Sequence, residues 1–429
     1  MLDTIREFRH WFWKPPRAHG EILADRRVSN LELLYDLVYV AVISQVAAAL
    51  AGDLSVGGLV SFIVVFGLVW IGWVNGSLYL ELHGQEDGRT RSYVFLQMGI
   101  LALLAAFTRD AATTSGAPFA LTYAAFLGVI AWLFFTVRRV DVAETARVTG
   151  RYALMLFASA VAIAASAVLA PELREIVWSG FGCLFIGATL VLGFRTRSFT
   201  IGVTPTDSLV ERINVFTIIV LGEVVVGVVG GLSHASADVM AVVTGVLALV
   251  VGLGFWWIYF DIVGGRKPRN DGRSLTIWLL AHLPLTGAIA ASGAAMLTLI
   301  EHASDPAAPQ APAWLLAIST AIVLVAEIVA AYALADYRRM PGVLRTLSLA
   351  LVIAAAVAVG MGLLQPPPWL LAVGLGATLL IVWLVAVGKF MKLSAWPPSR
   401  ATTEPIAETS AGLDRQQNRQ QPHSEADQG

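Results

Sequence analysis

From Val56 to Glu81 the chain reads VGGLVSFIVVFGLVWIGWVNGSLYLE, and no charged side chain interrupts it before the final glutamate. A helix needs about 20 mostly apolar residues to cross a bilayer. This stretch meets that length, and eleven others do so at least roughly. The twelve predicted spans fall near 31–50, 56–81, 93–107, 119–137, 152–169, 176–194, 213–232, 239–261, 275–299, 314–335, 344–364 and 369–390. The third is short and is expected to tilt little or to begin earlier. The expected fold class is therefore an all-α polytopic membrane protein with about twelve transmembrane helices.

Composition agrees. Of 429 residues, 57% are hydrophobic and 14% charged, against about 25% charged in soluble domains. Mean hydropathy is +0.72. These values exclude a disordered chain, a nucleic-acid binder and an ordinary cytosolic enzyme. Net charge is −1, so no polyanionic partner is implied. A single cysteine, Cys183, excludes an internal disulfide and any cysteine-built metal cage. There is no P-loop, no dinucleotide glycine pattern after a strand and no His-Glu-x-x-His, so no cofactor is expected. The expected partners are the lipid bilayer and a small solute or ion, with no nucleic acid; a homo-oligomer is compatible with the chain.

The basic residues give an orientation, because loops on the cytoplasmic side of a membrane are enriched in Lys and Arg. Alternating the loops from a cytoplasmic N-terminus places 27 of 29 Lys and Arg on one side. Only Arg109 and Arg174 fall on the other. A miscounted span would scramble this alternation. Both termini are thus expected in the cytoplasm, and the membrane is expected to be the bacterial inner one. Segment 1–30, with six basic residues and the cluster Trp11-Phe12-Trp13, reads as an interfacial lead-in rather than a secretory signal. Segment 391–429 reads as a disordered polar tail.

The two halves resemble each other. Leu78-Tyr79-Leu80-Glu81 closes the second span and Ile258-Tyr259-Phe260-Asp261 the eighth. Asp87-Gly88-Arg89 and Asp271-Gly272-Arg273 follow them, and Arg138-Arg139 and Arg338-Arg339 end the fourth and tenth spans. Glu32 opens the first span and Glu211 the seventh, 179 residues apart. A tandem 6+6 parallel repeat follows, with halves at 31–194 and 213–390 joined by a connecting loop at 195–212. Its two-fold axis would run along the membrane normal.

Ionisable groups inside a span are expensive and usually mark a site or a bonded core position. Glu32 and Asp36 stand four apart and share a helix face; Tyr35 and Tyr39 take an adjoining one. The acid pair could hold a cation or share a proton, or Asp36 could pair with a cationic loop residue. Glu211 and Arg212 lie at the expected membrane boundary. Glu223 follows Glu211 by twelve residues, roughly 18 Å along a helix, which places it at or just beyond the midplane. Gly222 beside it would let a neighbouring backbone approach. Asp261 shares the level of Glu32, Glu81 and Glu211. His282 can titrate near neutrality, and Pro284 is expected to kink or break the ninth helix. Glu327 lies near the middle of the tenth span. His83, Glu86 and Asp87 form a weak metal cue, better read as solvated charge. Asn75 and Gln45 read as structural.

Several of these stretches carry a resemblance. Leu31-Glu32-Leu33-Leu34-Tyr35-Asp36-Leu37-Val38-Tyr39-Val40 resembles the opening motif of the bacterial low temperature requirement A family. Glu211-Arg212 through Phe216-Thr217-Ile218-Ile219-Val220-Leu221-Gly222-Glu223 resembles its central motif. Trp257-Ile258-Tyr259-Phe260-Asp261 and His282-Leu283-Pro284-Leu285 look like two further signatures. The resemblance covers about residues 25–390. Leu34 departs from an aromatic, Ser208 from a frequent histidine and Asn214 from a common glycine. The resemblance implies a polytopic bacterial membrane protein and little about activity.

The expected function is a secondary transporter coupled to protons or a cation. Its binding residues would come from Glu32, Asp36, Glu211, Arg212, Glu223, Asp261, His282 and Glu327. A membrane enzyme or lipid-handling protein with an acidic and histidine site at the cytoplasmic leaflet is the alternative, and a non-catalytic cold-response protein is a third. Convergence of Asp36, Glu223, Asp261 and His282 on one cavity would mark a site. Separate placement on different helices would make most of them structural.

Overall fold

Many of the apolar runs begin at a residue suited to start a helix. In the computed structural model, Ser29, Ser55, Asp87, Thr206, Asp238 and Asp271 each accept a hydrogen bond from a backbone N–H of the first turn. These caps satisfy donors that a membrane edge would otherwise leave exposed. Pro341 opens another helix, where its missing N–H costs nothing.

The structure describes residues 14–18, 28–85, 87–195, 204–235 and 238–392. The aromatic cluster at Trp11–Trp13, Glu86, residues 196–203 of the connecting loop and the tail beyond 392 lie outside them. The chain divides after Val387. Of the second unit, only helical residues 388–392 are described; all packing below lies within residues 1–387.

Twelve helices are long and apolar enough to cross a membrane, and they occur where the twelve spans were expected. They are α1 (Asn30–Gly52), α2 (Val56–His83), α3 (Gly88–Thr108), α4 (Gly116–Val137), α5 (Ala143–Ala165) and α6 (Pro171–Arg195), then α7 (Asp207–His234), α8 (Val239–Ile262), α9 (Gly272–Glu301), α10 (Gln310–Ala333), α11 (Pro341–Leu364) and α12 (Pro368–Lys392). A five-residue helix, Ala335–Arg339, links α10 to α11. Among the described residues there is no strand, only an isolated bridge between Pro268 and Leu334. The protein is a multi-pass helical membrane protein.

One alternative for the third span holds, and the break expected in the ninth helix does not occur. The third span begins earlier, because Asp87 caps Thr90 and carries the polar residues Arg89–Ser92 into α3. Helix α9 runs unbroken through Pro284. Membrane helices tolerate proline, which here leaves only the Leu280 carbonyl without its helical N–H donor.

Helix α9 is the most enclosed. In its apolar window 78% of residues are buried, against 22% for α6. It packs on α7 and α10 and touches α1, α2, α6 and α8. Its small residues Ala288, Ala291, Ser292, Gly293, Ala294 and Ala295 are buried and let neighbours come close. Outward faces such as Leu154, Phe157 and Val161 on α5, or Val242, Val246 and Leu253 on α8, leave large apolar side chains exposed. Lipid is the surrounding that suits them.

On the side of the basic loops, short chain segments bind the helix ends. Arg17 donates from Nε to the Gly84 carbonyl at 2.7 Å and from Nη2 to the Glu81 carbonyl at 2.6 Å, closing the C-terminus of α2. Its own carbonyl meets His83 Nδ1 at 3.0 Å. His83 and Asp87 are buried rather than solvated, because this N-terminal segment covers them. Among the described residues no three His, Cys, Asp or Glu come together as metal ligands. On the opposite side, Asp53 in the α1–α2 turn is held below the usual carboxylate range by hydrogen bonds from Ser55.

Candidate functional site

Helix α7 places Arg212 one turn in from its capped start, with no exposure to solvent or lipid. There it meets the acidic face of α1. Arg212 Nη2 donates to Asp36 Oδ1 at 3.1 Å, and Nη1 lies 3.7 Å from Glu32 Oε2. Trp73 on α2 donates its indole N–H to the same Asp36 oxygen at 2.9 Å. The Trp73 ring stacks on Phe216, one turn after Arg212, with centroids 4.2 Å apart. Three helices thus hold one guanidinium and two carboxyl groups, a set with one more acid than base. Of the alternatives open for Asp36, pairing with a cation is the one seen, and that cation is a helix residue buried in the bundle.

The tyrosines of α1 point elsewhere. Tyr35 and Tyr39 place their hydroxyls 3.3 Å apart, and Tyr35 reaches Gln97 of α3 at 3.1 Å. Gly76 makes room for this ring: a Cβ there would sit 2.4 Å from the Tyr35 hydroxyl.

Eleven residues beyond Arg212 is about three turns, so Glu223 returns to nearly the same face of α7. It meets α1 again. Ser44 Oγ donates to Glu223 Oε1 at 2.5 Å. Asp36 precedes Ser44 as Arg212 precedes Glu223, so α1 and α7 run parallel with polar contacts at two levels. The glycine that admits a close neighbour is not Gly222, whose Cβ position is open. It is Gly227, where a Cβ would lie 2.1 Å from the Gly293 carbonyl oxygen; a Cβ on Gly293 would lie 2.4 Å from the Glu223 carbonyl oxygen. The interlock of α7 with α9 therefore sits just beyond Glu223.

Asn214 is two residues from Arg212 and so projects to roughly the opposite side of α7. Its side-chain oxygen lies 3.1 Å from the Tyr259 hydroxyl of α8. The same hydroxyl lies 3.1 Å from Nε2 of His282 on α9. His282 Nδ1 lies 2.7 Å from the Trp278 carbonyl, which can only accept. Nδ1 therefore carries the hydrogen and Nε2 faces Tyr259 as an acceptor.

The remaining expected residues stand apart. Asp261 is half-buried and accepts from the Trp383 indole at 2.7 Å. Glu211 is exposed and accepts from the Val28 N–H at 3.4 Å. Glu327 is buried on α10, about 9 Å from the end of that helix and slightly less than that from its middle. Glu81 accepts from Thr206 at 2.7 Å and from Ser208 at 2.5 Å, joining the end of α2 to the start of α7. The acids do not converge on one cavity. A small crevice lies between α2, α5, α6 and α9. It is walled mainly by apolar residues such as Val74, Leu78, Phe185 and Leu279, and none of the expected acids lines it. What the polar contacts share is α7, which contributes Arg212, Asn214 and Glu223.

Trp73 and Ser44 were not singled out from sequence. Ser44 had a signal, since it lies eight residues from Asp36 on the same helix face. Trp73 had none that separates it from the other tryptophans.

The description of the bacterial low temperature requirement A protein (LtrA) matches residues 27–387. The chain belongs to this family. The LtrA match takes in α1 to α11 and most of α12, and with them the contacts of Arg212, Asn214 and Glu223. Uncharacterized protein RA0937 of Rhizobium meliloti (strain 1021) is similar, 25% identical over 301 residues, which are 65% of this chain and 70% of that one. No solved structure matches the chain.

Proposed function

We propose that this LtrA-family protein is a secondary transporter coupled to protons or a cation through its buried carboxyl groups. One observation carries the reading. Within the membrane bundle, α1 and α7 face each other through Arg212 with Asp36 and Glu32, and again through Ser44 with Glu223. A bundle held only by packing needs no such groups, and each is costly inside a bilayer. Hydrogen bonds and ion pairs between two helices can break and re-form, which apolar interlocks do less readily.

The tandem repeat gives this interface its place. Under a 6+6 duplication α1 and α7 are equivalent helices, each the first of its half. Transporters built from parallel repeats bind substrate where the halves meet and work by rocking one half against the other. The polar α1–α7 seam would be that meeting point. The 27 to 2 division of basic residues supports a cytoplasmic location for both termini and, for a bacterial protein, residence in the inner membrane.

Proteoliposomes test the reading. Purified protein should acidify or alkalinise the vesicle lumen, or move a solute from an untargeted metabolite mixture, when a pH or cation gradient is imposed. Asp36→Asn and Glu223→Gln, both folded and monodisperse, should lower that flux at least tenfold. Wild-type vesicles that move neither protons nor any solute under every gradient would refute transport.

A further inference from the structure

Every other expected acid within the bundle has a donor or a cation beside it. Asp36 accepts from Arg212 and Trp73, Glu32 lies 3.7 Å from Arg212, Glu223 accepts from Ser44 and Asp261 from Trp383. Glu327 differs. It has no exposure, and among the described residues neither of its carboxyl oxygens has a hydrogen-bond partner. Among the described residues no lysine or arginine forms an ion pair with it.

The groups around α10 explain what it can hold. Tyr259 on α8 and Tyr337 on the short helix after α10 lie within its electrostatic reach. Neither is a cation. Helix α11, packed on α10, has Arg345 as its one charged residue, near its start and exposed. Helix α9 contributes His282, one hydroxyl beyond Tyr259. A metal ion would need several oxygen or nitrogen ligands around it, and the described residues gather no such group here. A proton needs one oxygen and leaves the carboxyl neutral, the form that an enclosed site without donors accommodates at least cost.

We infer that Glu327 is a proton-binding site of this protein, and that the proton is the ion it exchanges. On release the Glu327 O–H bond breaks and the proton passes to a water molecule that enters the site, leaving a carboxylate and a hydronium ion. The use of this proton to drive a solute rests on the transport reading; its presence on Glu327 does not.

Infrared spectroscopy of the full-length protein in liposomes at neutral pH separates the two. The wild-type spectrum should contain a carboxylic-acid C=O band that shifts on deuteration, and Glu327→Gln should abolish one such band. Glu327→Asp should move that band rather than abolish it, which covers the case in which Glu327→Gln fails to fold. Adding Na⁺, K⁺ or Mg²⁺ at fixed pH should leave the band unchanged. A wild-type spectrum whose acid bands all survive in both variants would overturn the assignment. So would a Glu327 band bleached by any of the three cations. Neither readout involves flux, so an intact band with silent proteoliposomes would refute transport while leaving the proton site standing.

Discussion

Ser44 and Glu223 bond each other at 2.5 Å and stand 179 residues apart, the same separation as Glu32 and Glu211. Under the proposed 6+6 duplication the two would be equivalent positions, and such positions meet only where a two-fold axis passes between them. The bond also leaves Glu223 dependent on one hydroxyl. Ser44→Ala should lower stability by about 1–3 kcal/mol, the effect of stranding a buried polar partner. In a Glu223→Leu background the same change should be nearly neutral. Thermal unfolding of the four proteins in detergent measures the coupling, and equal effects in both backgrounds would show that the bond contributes nothing.

The glycines of α7 should separate sharply. Gly227→Ala and Gly293→Ala force a methyl group to within 2.1 and 2.4 Å of a facing backbone oxygen, and backbone cannot rotate aside. Each should destabilise by about 1–3 kcal/mol or more, as overpacking does. Gly222→Ala has open space and should be neutral or stabilise by up to about 1 kcal/mol, since alanine is the better helix former. Melting temperatures of the three variants decide; a Gly222→Ala loss equal to that of Gly227→Ala would contradict the packing described.

The contrast shows what sequence carries and what it does not. Helix number was legible because each span announces itself locally, through a run of mostly apolar residues between polar ends. Caps were legible for the same reason: Asp87-Gly88-Arg89 and Asp271-Gly272-Arg273 are local signals. The choice between Gly222 and Gly227 depends on how α7 is rotated against α9, and nothing local encodes that. Arg212 is harder still. By position it counts among the basic loop residues, and only the register of α1 against α7, across 176 residues, draws it inside to Asp36. Glu223 and His282 were legible as ionisable groups in spans, while Ser44 and Tyr259, which bond them, could be chosen only once helix neighbours were known.

Orientation is open to a direct measurement. Arg109 and Arg147 are exposed and lie at opposite ends of the bundle by chain order. In a Cys183→Ser background, Arg109→Cys should react with a membrane-impermeant maleimide in intact cells with a permeabilised outer membrane. Arg147→Cys should react only after the inner membrane is opened. The reverse pattern would invert the topology and place the basic loops outside.

The Arg212 cluster gives the largest expected effect. Arg212→Met removes the cation that among the described residues faces Asp36, together with its contact to Glu32, and leaves Asp36 enclosed with the Trp73 indole as its donor. Breaking a buried pair from one side costs about 3–5 kcal/mol. Arg212→Lys keeps the charge but supplies a compact ammonium in place of a planar fork, so it cannot span both acids in the same geometry; its loss should be intermediate. Arg212→Met combined with Asp36→Asn and Glu32→Gln removes the stranded charge and should recover most of the stability. The four proteins differ at three positions only, and their unfolding temperatures should rank wild type first, then the triple variant and Arg212→Lys, with Arg212→Met last. A triple variant less stable than Arg212→Met would mean that the acids are held by something other than Arg212.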